Sequence, residues 1–173
     1  TLKQPDGRKN NIAYVPSWIV WGAAGARWLS LSNQLVAFTQ SMQHADTGGV
    51  FGSILERNRG QGAISFDGTT LAGIGFGRAG RNEACRRVGD YLLQLLAVQP
   101  AVNDRFYTDW QQPGGLMTNE ATTASVLQWD QPNQHYYKIG LFVVALLEAY
   151  GASGDREYLD GAVKGYRLAT DRA

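Results

Sequence analysis

The chain has 173 residues, 44% of them apolar and 18% charged, which excludes a disordered chain and leaves room for one domain with a sizeable core. Sixteen basic against 15 acidic residues, with no basic run interleaved with aromatics, argue against a nucleic-acid surface. The single cysteine, Cys85, rules out an internal disulfide framework and a thiolate zinc cluster within this chain, and reads as a small buried helix residue.

No secretory leader or membrane-spanning run is visible, so the compartment stays open with the cytoplasm slightly favoured. Residues 1–11 are polar, carry an Asp6-Gly7 turn signal and read as a linker. Pro16 suits a first helical turn, and the apolar run through Trp18, Ile19, Val20, Trp21, Ala23, Ala24 and Trp28 predicts a buried helix. Leu29 to Ser32 then turns the chain into a shorter helix on Leu35, Val36, Phe38 and Met42, completing a first hairpin over 14–44.

HADTGGVFGSI and QGAISFDGTT are rich in glycine and β-formers and predict short strands or extended loops. A second hairpin over 69–98 joins the glycine-rich stretch Thr69 to Ala79 to an amphipathic helix. Ala84, Cys85, Val88, Leu92, Leu95 and Leu96 form that helix's core face. The connection Gln99 to Asn133 is long enough to suggest a functional loop. A third hairpin spans 134–170. Its first helix, apolar from Ile139 to Leu147 except at Gly140, is expected to be buried on all sides. Its second shows Tyr158, Leu159, Ala162, Val163 and Tyr166 on one face and Arg156, Asp160, Lys164 and Arg167 on the other. Gly151 to Gly154 supplies the stop between them, and Asp155 the next cap.

Sliding the chain by 56 residues lays Leu35–Phe51 over Tyr91–Tyr107, with Gln43 on Gln99, Val50 on Phe106 and Phe51 on Tyr107. Each copy is an outer helix, a glutamine and an extended aromatic tip. Alternating buried and amphipathic helices, the GDREYLDGA turn, and the GGVF and GGLM tips resemble the six-hairpin (α/α) toroid superfamily. Its members include glycoside hydrolases, sugar epimerases and linalool-type dehydratase-isomerases. The resemblance covers about residues 14–170 and implies an all-α (α/α)6-type fold with short β-like connections. About three hairpins would be present, the rest of the ring coming from more polypeptide or a second chain.

In such toroids the inner-helix N-termini and nearby loops form the mouth of a central cavity. The resemblance therefore directs attention to Tyr14 and Trp18, Asp67 and Thr70, and Gln134, His135 and Tyr136. Asp67, after Ile64 and Phe66 and before Gly68, is either a general acid or base beside an apolar wall or a helix N-cap. His135 is either a proton shuttle or a structural residue, whereas His44, before a polar turn, reads as surface. Asp109-Trp110 and Trp129-Asp130 pair an acid with a large aromatic. They suit either substrate stacking or plugging of the loop onto the core.

Gly75-Phe-Gly77-Arg-Ala-Gly80 fits G-x-G-x-x-G, yet no βαβ alternation surrounds it, so close helix packing is the preferred reading. Serine-hydrolase elbows and metal-ligand spacings are not found either, so no cofactor is expected. The expected activity is acid–base chemistry in an aromatic-lined cavity, first of all on a carbohydrate or polyol in the manner of a glycoside hydrolase. Asp67, His135 and Asp109 are the catalytic candidates; Tyr14, Trp18, Trp110, Trp129, Asp130 and Tyr136 are the binding candidates. A terpenoid cyclase or dehydratase-isomerase, or a non-catalytic assembly module, are the alternatives.

Overall fold

The computed structural model describes residues 14–25, 29–52, 57–58, 60–119 and 125–171. The expected linker 1–11 and Trp28 lie outside them. In chain order the elements are α1 (Tyr14–Gly25), α2 (Leu29–Ser41), β1 (Gly62–Ile64), α3 (Phe66–Arg78) and α4 (Asn82–Ala97). There follow β2 (Arg105–Tyr107), β3 (Trp110–Gln112), β4 (Gly115–Leu116), β5 (Val126–Gln128), α5 (Tyr137–Ser153) and α6 (Arg156–Thr170). No described helix is long and apolar enough to cross a membrane.

The helices form two layers. α1, α3 and α5 lie side by side in an inner row, with α3 touching both neighbours. α2, α4 and α6 pack behind them, and α4 bridges its own partner α3 and the following α5. The centre of the row belongs to the glycine-rich helix. α3 is buried continuously from Gly68 to Phe76 because its glycines let neighbours close in. A Cβ on Gly73 would come within 2.6 Å of Val88 Cγ1, and one on Gly75 within 2.5 Å of Val20 Cγ1. Two of the three glycines matching the dinucleotide pattern, Gly75 and Gly77, therefore serve helix contact inside α3.

The structure corrects three expectations about the helices. Hairpin two starts at Phe66 rather than Thr69, because Ser65 caps α3 and accepts a hydrogen bond from Gly68 N at 3.0 Å. Leu29 to Ser32 is the first turn of α2 rather than a turn between helices. The outer members of the inner row, α1 and α5, are not buried on all sides: Trp18, Ile19, Val144 and Leu147 are exposed. Among the described residues, α3 alone has inner helices on both flanks.

The all-α class is also overturned. The connections pair into two antiparallel sheets, β1-β3-β4 and β2-β5, giving the chain mixed α and β character. Runs of two or three residues carry too little periodicity to announce a strand, and their partners lie far away in sequence. Ile64 sits opposite Trp110, and Phe106 opposite Leu127. The pairing does explain the 56-residue repeat. Phe51 bridges Ile64 just before α3, and Tyr107 pairs with Val126 ahead of α5. In each copy the tip after an outer helix meets the strand leading to the next inner helix.

The paired glutamines hold these tips. Gln99 Nε2 donates to Leu95 O and Tyr107 O at 3.1 and 2.9 Å, while its Oε1 accepts from Tyr107 N at 2.8 Å. Gln43 Nε2 donates to Gly48 O and Ala84 O at 2.9 and 3.0 Å. At the last turn, Gly154 adopts φ 74° and Asp155 Oδ1 accepts from Glu157 N at 3.0 Å, which stops one helix and starts the next.

This packing can be tested through stability. A Cβ on Gly89 would meet the Tyr158 ring at 2.6 Å and Ala149 Cβ at 2.8 Å. Gly89→Ala is expected to cost about 1–3 kcal/mol in urea denaturation. Burial, then the nearby Glu148 charge, pushes the Cys85 thiol up to about 12. The folded protein should leave a thiol reagent unreacted near neutral pH and yield one thiol on unfolding. Burial, then the bond from the Tyr158 hydroxyl to Asp90 Oδ1 at 2.6 Å, raises Tyr158 to about 12. Its contribution is complete below the ordinary tyrosine value of about 10 and is lost as pH rises from there through 12. Tyr158→Phe should flatten that stretch of the stability–pH curve.

Candidate functional site

α3 and α5 run parallel, Asp67 meeting Tyr137 at their starts and Arg78 meeting Glu148 near their ends, so their first turns share one end of the molecule. There α3 and α5 touch twice. The Tyr137 hydroxyl donates to Asp67 Oδ2 at 3.4 Å, and Lys138 Nζ lies 5.8 Å from the centroid of the Phe66 ring. Lys138 is buried and also donates to Thr108 Oγ1 at 3.4 Å, tying the long connection to this end of α5.

Because Ser65 is the cap, the Asp67 carboxylate is not used as one. It stands in the first turn of α3, where the helix dipole favours an acidic side chain. Its Oδ1 is buried with no hydrogen-bond partner among the described residues. A buried acceptor left unpaired costs about 1–3 kcal/mol. Such an atom is suited to receive a donor brought by a ligand or by water.

Tyr137, which holds Asp67, also lines an open groove of about 740 Å³ together with Trp18 and Trp21 from α1, Ile74 from α3, and Gly140, Leu141 and Val144 from α5; Asp67 itself stands beside this lining. The α5 residues follow i, i+3, i+4, i+7, so the stripe expected to be core is the groove wall instead. Trp18 and Trp21 are 5.4 Å apart with ring planes tilted by 44°. At the far end of α3, Arg78 Nε bonds Glu148 Oε1 at 3.1 Å, and its guanidinium lies 5.7 Å from the Trp21 ring. Asp67 and Arg78 stand about 16 Å apart along the helix at 1.5 Å per residue. Asp67, an apolar stretch and the Arg78–Glu148 ion pair thus succeed one another along α3.

The remaining candidates are distributed over other places. His135 is near the rim, with its ring 5.7 Å from that of Tyr137. Tyr14 begins α1, but its side chain lies outside the described residues. Thr70 is buried and bonds back to Phe66 O and Asp67 O, both at 3.1 Å. Trp110 is buried edge-on against Tyr91 at 5.8 Å, plugging β3 onto the core, and Asp109 accepts from Thr108 Oγ1 at 3.3 Å. Burial, followed by the Asp109 charge, pushes the Tyr91 hydroxyl well above its ordinary range.

Trp129 stacks on Tyr136 at 6.2 Å and donates from Nε1 to Val102 O at 2.9 Å. Together with Asp130 it lines a separate, smaller groove of about 300 Å³. Tyr136 Oη reaches three loop carbonyl oxygens, those of Gln128, Trp129 and Gln131, and Gln134 Oε1 accepts from Gln128 N at 3.1 Å. These residues brace the long connection. His44 Nδ1 accepts from Asp46 N and Thr47 N at 3.3 and 3.2 Å, folding its own turn.

A further groove of about 590 Å³ runs along α6, where Asp160 and Asp171 flank Lys164 and Arg167. Its opposite charges offset one another, and it holds no buried carboxylate. Sequence reasoning did not single out Tyr137, Trp21, Leu141 or Val144 as site residues. The helical spacing of Trp21, Leu141 and Val144 on α1 and α5 was read as core, and Tyr137 lay outside that apolar run. Among the described residues no group of three or more His, Cys, Asp or Glu side chains is placed to hold a metal ion.

Comparison with protein-family models gives no match, and neither does comparison with curated protein sequences.

Gly140 supplies a test of the groove itself. It is exposed, and a Cβ there would meet nothing within 4 Å. Gly140→Leu should keep or raise the thermal midpoint, since glycine costs a helix interior about 0.5–1 kcal/mol. It should also weaken the fluorescence enhancement of an apolar dye such as 1-N-phenylnaphthylamine, measured by titration.

Proposed function

We propose that this groove is the active site of a cofactor-independent acid–base enzyme for an apolar substrate bearing a hydroxyl, a dehydratase-isomerase or cyclase on an (α/α)-toroid scaffold. The observation that carries this reading is the lining. Apart from the Tyr137 hydroxyl and the tryptophan N–H groups it is apolar. A sugar ring presents hydroxyls around its edge and needs several fixed hydrogen-bonding groups. The carbohydrate reading is therefore set second to the terpenoid-like one.

With the substrate hydroxyl at the rim, Asp67 in its protonated form gives a proton to the leaving oxygen, and water departs with the electrons of the C–O bond. The allylic cation left behind lies against the faces of Trp18 and Trp21, whose ring quadrupoles attract positive charge. The Asp67 carboxylate then removes a proton from the adjacent carbon, leaving a diene and restoring the acid. Tyr137 positions Asp67 through its 3.4 Å bond, and His135 borders Tyr137. Further polypeptide, from this chain or another, walls the open side of the groove.

Acyclic allylic alcohols are the test substrates, with alkene products followed by gas chromatography. Asp67→Asn should abolish turnover and leave the thermal midpoint nearly unchanged, while Tyr137→Phe should lower kcat without unfolding the protein. Release of sugar from glycosides by the wild-type chain, or full activity in Asp67→Asn, would overturn the proposal.

A further inference from the structure

The apolar groove ends at the same level on α3 and α5. On α3 the lining residue Ile74 is followed one turn later by Arg78, and on α5 the lining residue Val144 is followed one turn later by Glu148. These two next-turn residues are the ones that form the ion pair at 3.1 Å, and neither belongs to the lining.

Three helices hold this pair. Glu148 lies close on α3 because position 77 is glycine: a Cβ there would stand 2.8 Å from Glu148 Oε2 and 2.9 Å from Glu148 Cβ. Arg78 Nε donates to the other carboxylate oxygen, Oε1, while its guanidinium lies 5.7 Å from the centroid of the Trp21 ring on α1. Trp21 is itself part of the groove wall. The charges therefore stand at the far end of the groove, on the same three helices that line it.

An apolar chain pushed against the pair would strip water from two partly exposed charges and give them no hydrogen bond in return. The wall from Tyr137 to Val144 runs about 10 Å along α5 at about 1.5 Å per residue. With C–C bonds of about 1.5 Å set in a zigzag, an extended chain of about nine carbons fills that length.

We propose that Arg78 and Glu148 are specificity-determining residues, a charged stop that limits the groove to alcohols with a main chain of about nine carbons when the hydroxyl lies at the Asp67 end. This rests on the groove being the binding site proposed above, and not on the acid–base step assigned to Asp67. Carbons beyond the stop stay in water and add nothing to affinity.

The test uses saturated straight-chain 1-alkanols of six to twelve carbons, which bind without reacting, and reads their displacement of 1-N-phenylnaphthylamine. Affinity should rise about threefold to fourfold with each methylene up to about nine carbons and then stay flat. In the double variant Arg78→Leu with Glu148→Leu the rise should continue through twelve carbons, with a cooperative unfolding transition retained by circular dichroism. Diols probe the stop without any substitution. Hexane-1,6-diol should bind about tenfold more weakly than hexanol, because its second hydroxyl falls in the apolar stretch. Decane-1,10-diol should match decanol, because its second hydroxyl reaches the ion pair. An unbroken rise through twelve carbons in the wild-type chain, the same plateau in the double variant, or an equal penalty for the second hydroxyl at six and ten carbons would overturn the proposal. Alkanols that bind with this cut-off beside allylic alcohols that are not turned over would support the stop and remove only the chemistry. No displacement by any alkanol would overturn both.

Discussion

Close approach of helices onto α3 is the constraint from which the rest of the molecule is arranged. A helix can have neighbours on both flanks and a third behind it only where its side chains leave space. Gly73 and Gly75 leave that space against Val88 and Val20. Glycine weakens a helix by about 0.5–1 kcal/mol relative to alanine. Burial of α3 against helices on three sides offsets that loss. The row order follows, because only the glycine-rich helix can occupy the middle, while α1 and α5 take the ends and keep a face in solvent.

That logic also explains how far the sequence could be read. Long periodic segments such as 82–97 and 156–170 declare themselves, because a 3.6-residue repeat accumulates over four turns. The pairing of Ile64 with Trp110 carries no such signal, being three residues long and dependent on a partner more than forty positions away. An apolar helix is ambiguous in a different manner. The run from Ile139 to Leu147 is compatible with burial all round or with a lined groove, and only the number of neighbouring helices decides between them. Asp67 shows the same limit on a single residue. Capping was credible for it until Ser65, two positions earlier, took that role.

At the rim, polarity and apolarity are divided between elements. The acid comes from α3, which is the rigid centre, and the hydroxyl that donates to its carboxylate, Tyr137, comes from α5. The tryptophans come from α1, at the far side of the row. A molecule held among these groups therefore reports on the spacing of all three inner helices at once. The candidates on the long connection, Trp110 and Trp129 among them, act on this geometry at one remove, by fixing the loops against Tyr91 and Val102.

The β3–β4 hairpin is joined to the helical layers through β1, the short strand that ends next to Ser65, and through Trp110 packed on Tyr91. Leu116 on its outer strand still packs against the core, whereas its tip at Pro113 and Gly114 is exposed and makes no demand on the inner row. Insertions or exchanges at that tip can accumulate without altering how the helices meet. Those near β1 instead shift the start of α3 and carry Asp67 with it. The two ends of one small hairpin are thus under opposite mutational tolerance, one free to diversify and the other held by the carboxylate it positions.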